Sequence, residues 1–215
     1  MKTKIIVVGG QKGGGGKSTI AVNLAIMRSI AGKDILLIDA DEQVSAAQFT
    51  ALRNESMEDG AGYTSIQLID SAVRTETKRL MNKHDEIIID TGGRDTTSQR
   101  AALTVADILL APFEPGTFDV WTAEEVSNMV AELKSVNPKL KAFSFINKGY
   151  PQGQDNREAG EMLVEEASEL KFLDLPIINR KAVRTATSQG LAIIEYKPKD
   201  QKAIDEIKRL YDYLY

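Results

Sequence analysis

Residues 9–19 read Gly9-Gly10-Gln11-Lys12-Gly13-Gly14-Gly15-Gly16-Lys17-Ser18-Thr19. Glycines in succession let a backbone wrap closely around an anion and turn consecutive N–H groups toward it. A helix opening at the end of the run adds the partial positive charge of its N-terminus. In a loop of this kind Lys17 reaches the β- and γ-phosphates of a nucleotide, and the Ser18 hydroxyl is placed to ligate Mg²⁺. The ordinary G-x-x-x-x-G-K-[ST] spacing is not met, because the place five residues before Gly16 holds Gln11. What fits is Lys-Gly-Gly-x-Gly-Lys-Ser, with an additional lysine, Lys12, inside the loop. A plain glycine-rich turn beside a surface lysine is the competing reading, and the strand before and helix after weigh against it.

Carboxylates recur downstream at the ends of apolar runs. Ile35-Leu36-Leu37-Ile38 leads into Asp39-Ala40-Asp41-Glu42-Gln43. Two acids one residue apart point the same way in an extended chain, so they repel unless a cation or donor lies between them. An acidic cap on the following helix is the alternative. Ile87-Ile88-Ile89 leads into Asp90-Thr91-Gly92-Gly93. An apolar strand ending in aspartate suits Asp90 to hold Mg²⁺ through a water. Gly93 completes D-x-x-G, in which a backbone N–H senses a γ-phosphate, and Arg94 to Thr97 form the segment that would move with it. Asp119 follows Pro112-Phe113-Glu114-Pro115, and Asn147-Lys148 follows a later apolar run. Asp119 is open between a nucleotide contact and a helix cap. Asn147 is open between an amide that pairs with the adenine edge and the start of a turn.

The elements that must carry these residues alternate. Ile5–Val8, 35–38, 87–89, 108–111 and 142–146 are continuous apolar runs, the pattern of parallel strands covered on both faces. Between them lie stripes at helical spacing: Ile20, Leu24, Met27 and Ile30; Val126, Met129, Val130 and Leu133; Met162, Leu163, Ala167 and Leu170. The expectation is one α/β domain over residues 1–215, a doubly wound, mostly parallel sheet flanked by helices. Ligands then sit beyond the carboxyl ends of the strands, where the candidate residues fall. Residues 54–62 and 149–158 read as surface loops.

In order along the chain, the Lys12-containing loop, the Asp39–Gln43 segment and Asp90–Gly93 resemble the deviant Walker A P-loop ATPases of the ParA/MinD family, most closely the short ParA-type partition proteins. Glu42 stands where that family commonly has proline. The resemblance implies a nucleotide cradle of Gly13, Gly14, Gly15, Gly16, Lys17, Ser18 and Thr19, with Gly93, Asp119 and Asn147 nearby. It implies Mg²⁺ held by Ser18 and Asp90 with Asp39 supporting its shell, and an attacking water positioned by Asp41. It also implies that Lys12 reaches across an ATP-dependent homodimer to the partner's nucleotide. Further implications are nonspecific DNA binding, a cargo-bound ParB-like activator of slow ATP hydrolysis, and a cytoplasmic, nucleoid-associated protein.

Composition narrows the alternatives. The 215 residues contain no cysteine and a single histidine, which excludes a disulfide scaffold, a cysteine-held zinc or iron–sulfur site and hence a nitrogenase-reductase role. The net charge of −4 argues against coating nucleic acid by bulk charge. Between Arg180 and Arg209, however, eight basic residues face four acidic ones. Within that segment Arg180, Lys181, Arg184, Lys199 and Lys202 are the candidate DNA contacts, against the reading of a solvated, ion-paired helix face. No run approaches the roughly 20 apolar residues of a membrane span. A MinD-like membrane helix at the C-terminus is the runner-up, although Ile204, Ile207, Leu210, Tyr211 and Leu214 have the spacing of a core-packing face. A bacterial tyrosine kinase, suggested by Tyr211, Tyr213 and Tyr215, is a weaker third, and no membrane partner is expected.

Overall fold

A computed structural model describes residues 3–10, 13–93, 96–115 and 120–215, with the backbone alone for residues 120 and 121. The five apolar runs form β1 (Lys4–Val8), β2 (Ile35–Ala40), β4 (Glu86–Thr91), β5 (Ile108–Phe113) and β6 (Lys141–Ile146). Their aliphatic side chains are buried on both faces, which suits β-branched residues in the middle of a sheet. Two further strands, β3 (Thr64–Gln67) and β7 (Lys171–Leu173), lie at the edges of the sheet in the order β3-β2-β4-β1-β5-β6-β7. Every pairing is parallel. The edge strands carry no continuous apolar run because their faces are only partly covered, leaving Thr64, Gln67 and Lys171 exposed.

Helices α1 (Lys17–Ile30), α2 (Ser45–Ser56), α7 (Lys181–Thr187) and α8 (Gln201–Leu214) cover one face, over Ile6, Val8, Leu37, Ile88 and Phe145. Helices α3 (Ser71–Leu80), α4 (Thr97–Leu103), α5 (Val120–Lys134) and α6 (Asp155–Glu166) cover the other, over Ile5, Val7, Ile38, Ile89 and Leu109. This is the doubly wound α/β arrangement. Neighbouring strands β1 and β4 are followed by helices on opposite faces, α1 and α4, which opens a crevice at their carboxyl ends, beside that of β2, where such sheets bind ligands.

Three expectations about the helices change. Ile30 is 61% exposed, because steps of three residues drift around a 3.6-residue turn and carry it off the buried stripe. Helix α2 runs to Ser56 and α6 begins at Asp155, so both supposed loops are shorter than their polar composition suggests. Ala167 and Leu170 are buried, yet lie beyond the end of α6 in the turn that enters β7.

Helix α8 is capped by Asp200, whose side chain accepts the Ala203 N–H. Its Ile204, Ile207, Leu210 and Leu214 are buried against the sheet. Each such side chain contributes about 1.5–3 kcal/mol in place, which leaves this apolar face in the core rather than free for a bilayer. Among the described residues no helix is long and apolar enough to cross a membrane.

Tyr211 and Tyr215 belong to a clasp at the amino ends of the strands, away from the loops after β1, β2 and β4. Arg28 donates from Nε to both oxygens of buried Glu86 (2.9 and 3.0 Å) and from Nη1 to the Tyr211 hydroxyl (3.1 Å). Its guanidinium and the Lys4 ammonium also lie over the Tyr215 ring, at 4.0 and 4.3 Å from the centroid. These tyrosines tie α8 to α1 and β4.

Candidate nucleotide-binding site

A cavity of about 860 Å³ opens where β1, β2 and β4 end. Gly13, Gly14, Gly16, Lys17, Ser18 and Thr19 line it from the first loop; Ala40, Asp41, Glu42 and Gln43 from the second; Gly92, Gly93 and Thr96 from the third. The volume lies in the range of pockets for cofactor-sized ligands.

The glycine loop is fixed from outside by the residues that end β6. Asn147 Nδ2 donates to the Gly15 carbonyl at 2.7 Å, and Lys148 Nζ donates to the Gly14 carbonyl and to Glu114 Oε1 (2.8 Å). In a trans peptide the C=O and the next N–H point in opposite directions. Holding these two carbonyls therefore turns the N–H groups of Gly15 and Gly16 to the other side of the loop. Gly16 sits at φ +80°, and a Cβ there would come within 2.4 Å of Asn147 Nδ2, so both conformation and space demand glycine. Asn147 is buried, and one N–H of its amide holds the loop, so this side chain shapes the cradle.

Lys17 is buried at the first turn of α1. Burial lowers its pKa, Asp90 and Asp41 raise it, and Lys148 lowers it again. Asp90 is fully buried at the end of β4, and among the described residues neither of its carboxylate oxygens has a hydrogen-bond partner. Burial pushes its pKa up to about 7; the nearby Ser18 hydroxyl and Lys17 oppose the rise, while Asp39 and Asp41 add to it. An orphaned buried carboxyl beside a lysine and a serine is costly unless something cationic completes it. Among the described residues no cluster of three or more His, Cys, Asp or Glu could form a metal cage of protein ligands alone. The donor set instead fits Mg²⁺, which keeps waters and takes phosphate oxygens alongside one or two protein oxygens.

The two acids after β2 separate in role. Asp39 pairs in register with Asp90 on the neighbouring strand. Its oxygens accept the N–H groups of Asp41 (3.1 Å) and Ala47 (2.8 Å), anchoring the loop and the first turn of α2. Burial raises its pKa against those two bonds. Asp39, like Asp90, is buried behind the cavity wall, and its two backbone bonds give it an anchoring role. Asp41 does line it, and a Cβ on Gly92 would lie 3.2 Å from Asp41 Oδ1. The bare Gly92 backbone is what lets this carboxylate lie against the end of β4. The turn into α2 passes through Val44 at φ +49°, a left-handed conformation unfavourable for a β-branched residue.

Phe49, Asp70, Ser98 and Thr187 also line the cavity and were not anticipated. None follows an apolar strand run, the signal by which the other candidates are found. Lys12, Asp119, Arg94 and Asp95 lie outside the described residues.

The basic segment is uneven. Arg180 donates from Nη2 to Glu206 Oε1 at 2.7 Å and from Nε to both Glu206 oxygens, and Glu206 also accepts the Ile178 N–H. Glu206 raises the Arg180 pKa and neutralises its charge, so Arg180 holds the start of α7 to α8 rather than presenting a cation to phosphate. Lys181, Arg184, Lys199 and Lys202 are exposed and form no ion pair among the described residues.

Residues 6–193 match the family model described as the CobQ/CobB/MinD/ParA nucleotide binding domain. The chain belongs to this family. Within it, the chain is 23% identical over 211 residues to the maintenance of carboxysome distribution protein A of Halothiobacillus neapolitanus, covering 97% of this chain and 95% of that one. An ATP complex of a Cyanothece McdA variant superposes with TM-score 0.81 at 20% identity, covering 99% and 96% of the two chains. A putative plasmid partition protein from Borrelia burgdorferi bound to AMPPNP superposes with TM-score 0.77 at 20% identity, covering 100% of each. The P-loop fold of this ParA/MinD-type family is thus shared from end to end.

Proposed function

We propose that this chain is a Mg²⁺-dependent ATPase that dimerises around ATP, binds DNA without sequence preference and positions a cargo. The observation that carries the reading is the orphaned Asp90 carboxyl, set beside Lys17 and Ser18 at the mouth of a glycine loop. That arrangement has an evident use with a metal-bound triphosphate in place and a standing cost without one. Relatives named for carboxysome distribution and plasmid partition support a cargo-positioning role.

Lys17 holds the β- and γ-phosphates, and the N–H groups of the glycine loop take the remaining phosphate oxygens. Ser18 and, through water, Asp90 would hold Mg²⁺, which neutralises charge on the phosphates when bound. Asp41 orients the attacking water, and the Gly93 N–H registers whether a γ-phosphate is present. Lys12 supplies a cation to the partner's nucleotide, which makes hydrolysis depend on dimerisation. Asp119 is the further nucleotide contact that this reading carries over from the family resemblance. The DNA surface consists of Lys181, Arg184, Lys199 and Lys202, with Arg180 in a supporting position. A cargo-bound, ParB-like partner stimulates turnover, and the protein works in the cytoplasm on the nucleoid.

Sedimentation and phosphate release with Mg-ATP test this reading. The parent chain dimerises with ATP and releases phosphate slowly; Lys17→Ala loses nucleotide binding; Lys12→Ala keeps binding but loses the dimer. A Lys12→Ala chain that dimerises and turns over like the parent contradicts the role given to that lysine.

A further inference from the structure

The loop that follows Asp90 is joined to the start of the phosphate loop by a side chain that neither motif contains. Gln99, in α4, is fully buried. Its Oε1 accepts the Gly10 N–H at 3.1 Å and the Thr91 hydroxyl at 2.9 Å. Its Nε2 donates to the Met129 sulfur at 3.3 Å, a weak acceptor, on α5. Gly9 closes the other side: a Cβ there would meet Thr91 Oγ1 at 2.8 Å and Gln99 Oε1 at 3.1 Å. One amide oxygen therefore bonds the end of β1 and the end of β4 to the helix that begins after Gly93.

The same turn of α4 is fixed at two other points. The Thr96 hydroxyl accepts the Gln99 N–H at 3.1 Å, and the Ser98 hydroxyl accepts the Asp70 N–H at 2.8 Å. Asp70, at the cavity rim, has φ +53° and ψ −135°, a backbone conformation that costs a non-glycine residue about 1–3 kcal/mol. A satisfied buried network of this kind has few alternative arrangements, so displacing one member obliges the others to follow.

We infer that Gln99 is a positioning residue that couples the γ-phosphate-sensing loop to the phosphate loop. When Gly92 and Gly93 settle on a γ-phosphate, the bond from Thr91 carries the change to Gln99, and the bond to Gly10 transmits it to the base of the cradle. Binding of ATP and of ADP then differ by more than the direct contacts of Gly93. This inference rests on the ATPase reading and adds a side chain through which the two loops exchange information.

The test compares the parent with Gln99→Leu and Thr91→Val. Each is measured for affinity toward ADP and AMPPNP with Mg²⁺, for kcat and KM of hydrolysis, and for Tm. The expected result for both variants is ADP affinity within about threefold of the parent, with AMPPNP affinity and kcat reduced about tenfold, in the usual range of coupling between sites. The double variant is expected to be no worse than the more impaired single one, because both break the same bond. Thr91→Val leaves Gln99 in place, so it carries the test if Gln99→Leu does not fold. Equal losses for both nucleotides, tracking a fall in Tm, would overturn the inference by reducing Gln99 to packing; parent-like behaviour of both variants would also overturn it. A parent chain that binds neither nucleotide overturns the ATPase reading itself and this inference with it.

Discussion

Asn147 holds the carbonyl of Gly15, 132 residues earlier in the chain, through a 2.7 Å hydrogen bond buried between β6 and the glycine loop. The cradle is therefore imposed by the far half of the sheet rather than by the flexible glycines themselves. Four glycines in a row confer reach but no preferred shape; Asn147 and Lys148 supply the shape.

Replacing Asn147 by alanine leaves a buried carbonyl without its donor, a loss of about 1–3 kcal/mol. The expected outcome is a roughly tenfold weaker affinity for ATP and ADP alike, with the preference for ATP over GTP unchanged. A side chain that reads the base would give the opposite split, with selectivity lost and pyrophosphate affinity kept. Competition binding with ATP, GTP and pyrophosphate distinguishes the two.

Asp39 and Asp41, one residue apart, are predicted to fail in different ways. Asp41→Ala keeps ATP but hydrolyses it at least about 100-fold more slowly, the scale of a lost water-positioning group, with Tm little changed. Asp39→Ala loses two charge-assisted bonds to backbone N–H groups, and at 2–4 °C per kcal/mol for a chain of this size the expected fall in Tm is about 5–10 °C. Thermal unfolding and phosphate release, measured on both variants, check the division.

The raised pKa of Asp90 gives a signed pH effect. In the folded chain the group keeps its proton to about pH 7, whereas an unfolded aspartate loses it near pH 3.9. Its contribution to stability is full below the unfolded value and is lost as pH rises through the folded one. In metal-free buffer, Tm of the parent relative to Asp90→Asn should decline from pH 4 to pH 8. Mg-nucleotide lowers the same pKa, so its affinity should rise with pH across neutrality and its binding should release a proton. A flat difference in Tm contradicts the assigned burial.

How far the sequence carried depended on whether a residue's role is local. Asp90 and Lys17 were legible because each sits at a fixed place after an apolar strand, where the fold puts ligand-facing groups. The central strands were legible for the same reason, while Thr64–Gln67 and Lys171–Leu173 were not, being too short and too polar at the sheet edges to show a period. Asn147 was legible by its position but its bond to Gly15 was not, since only the packed sheet shows which donor meets which carbonyl. The anchoring bonds of Asp39 were not legible, because spacing shows that two acids are neighbours but not which backbone N–H groups each one meets. The pairing of Arg180 with Glu206, 26 residues on, likewise shows only in the folded chain. Phe49, Asp70, Ser98 and Thr187 reach the cavity only through tertiary packing.

In the proposed function, nucleotide state controls a DNA-binding surface. The most direct measurement is binding to a random-sequence duplex with Mg-ATP, Mg-ADP and no nucleotide, across a salt series, for the parent and for a variant carrying Lys181→Glu, Arg184→Glu, Lys199→Glu and Lys202→Glu. The expected result is tight, salt-sensitive binding by the parent with ATP alone, and its loss in the variant while ATP binding and Tm are retained. Binding that is equal with ATP, ADP and no nucleotide, or that survives the four charge reversals, would contradict it.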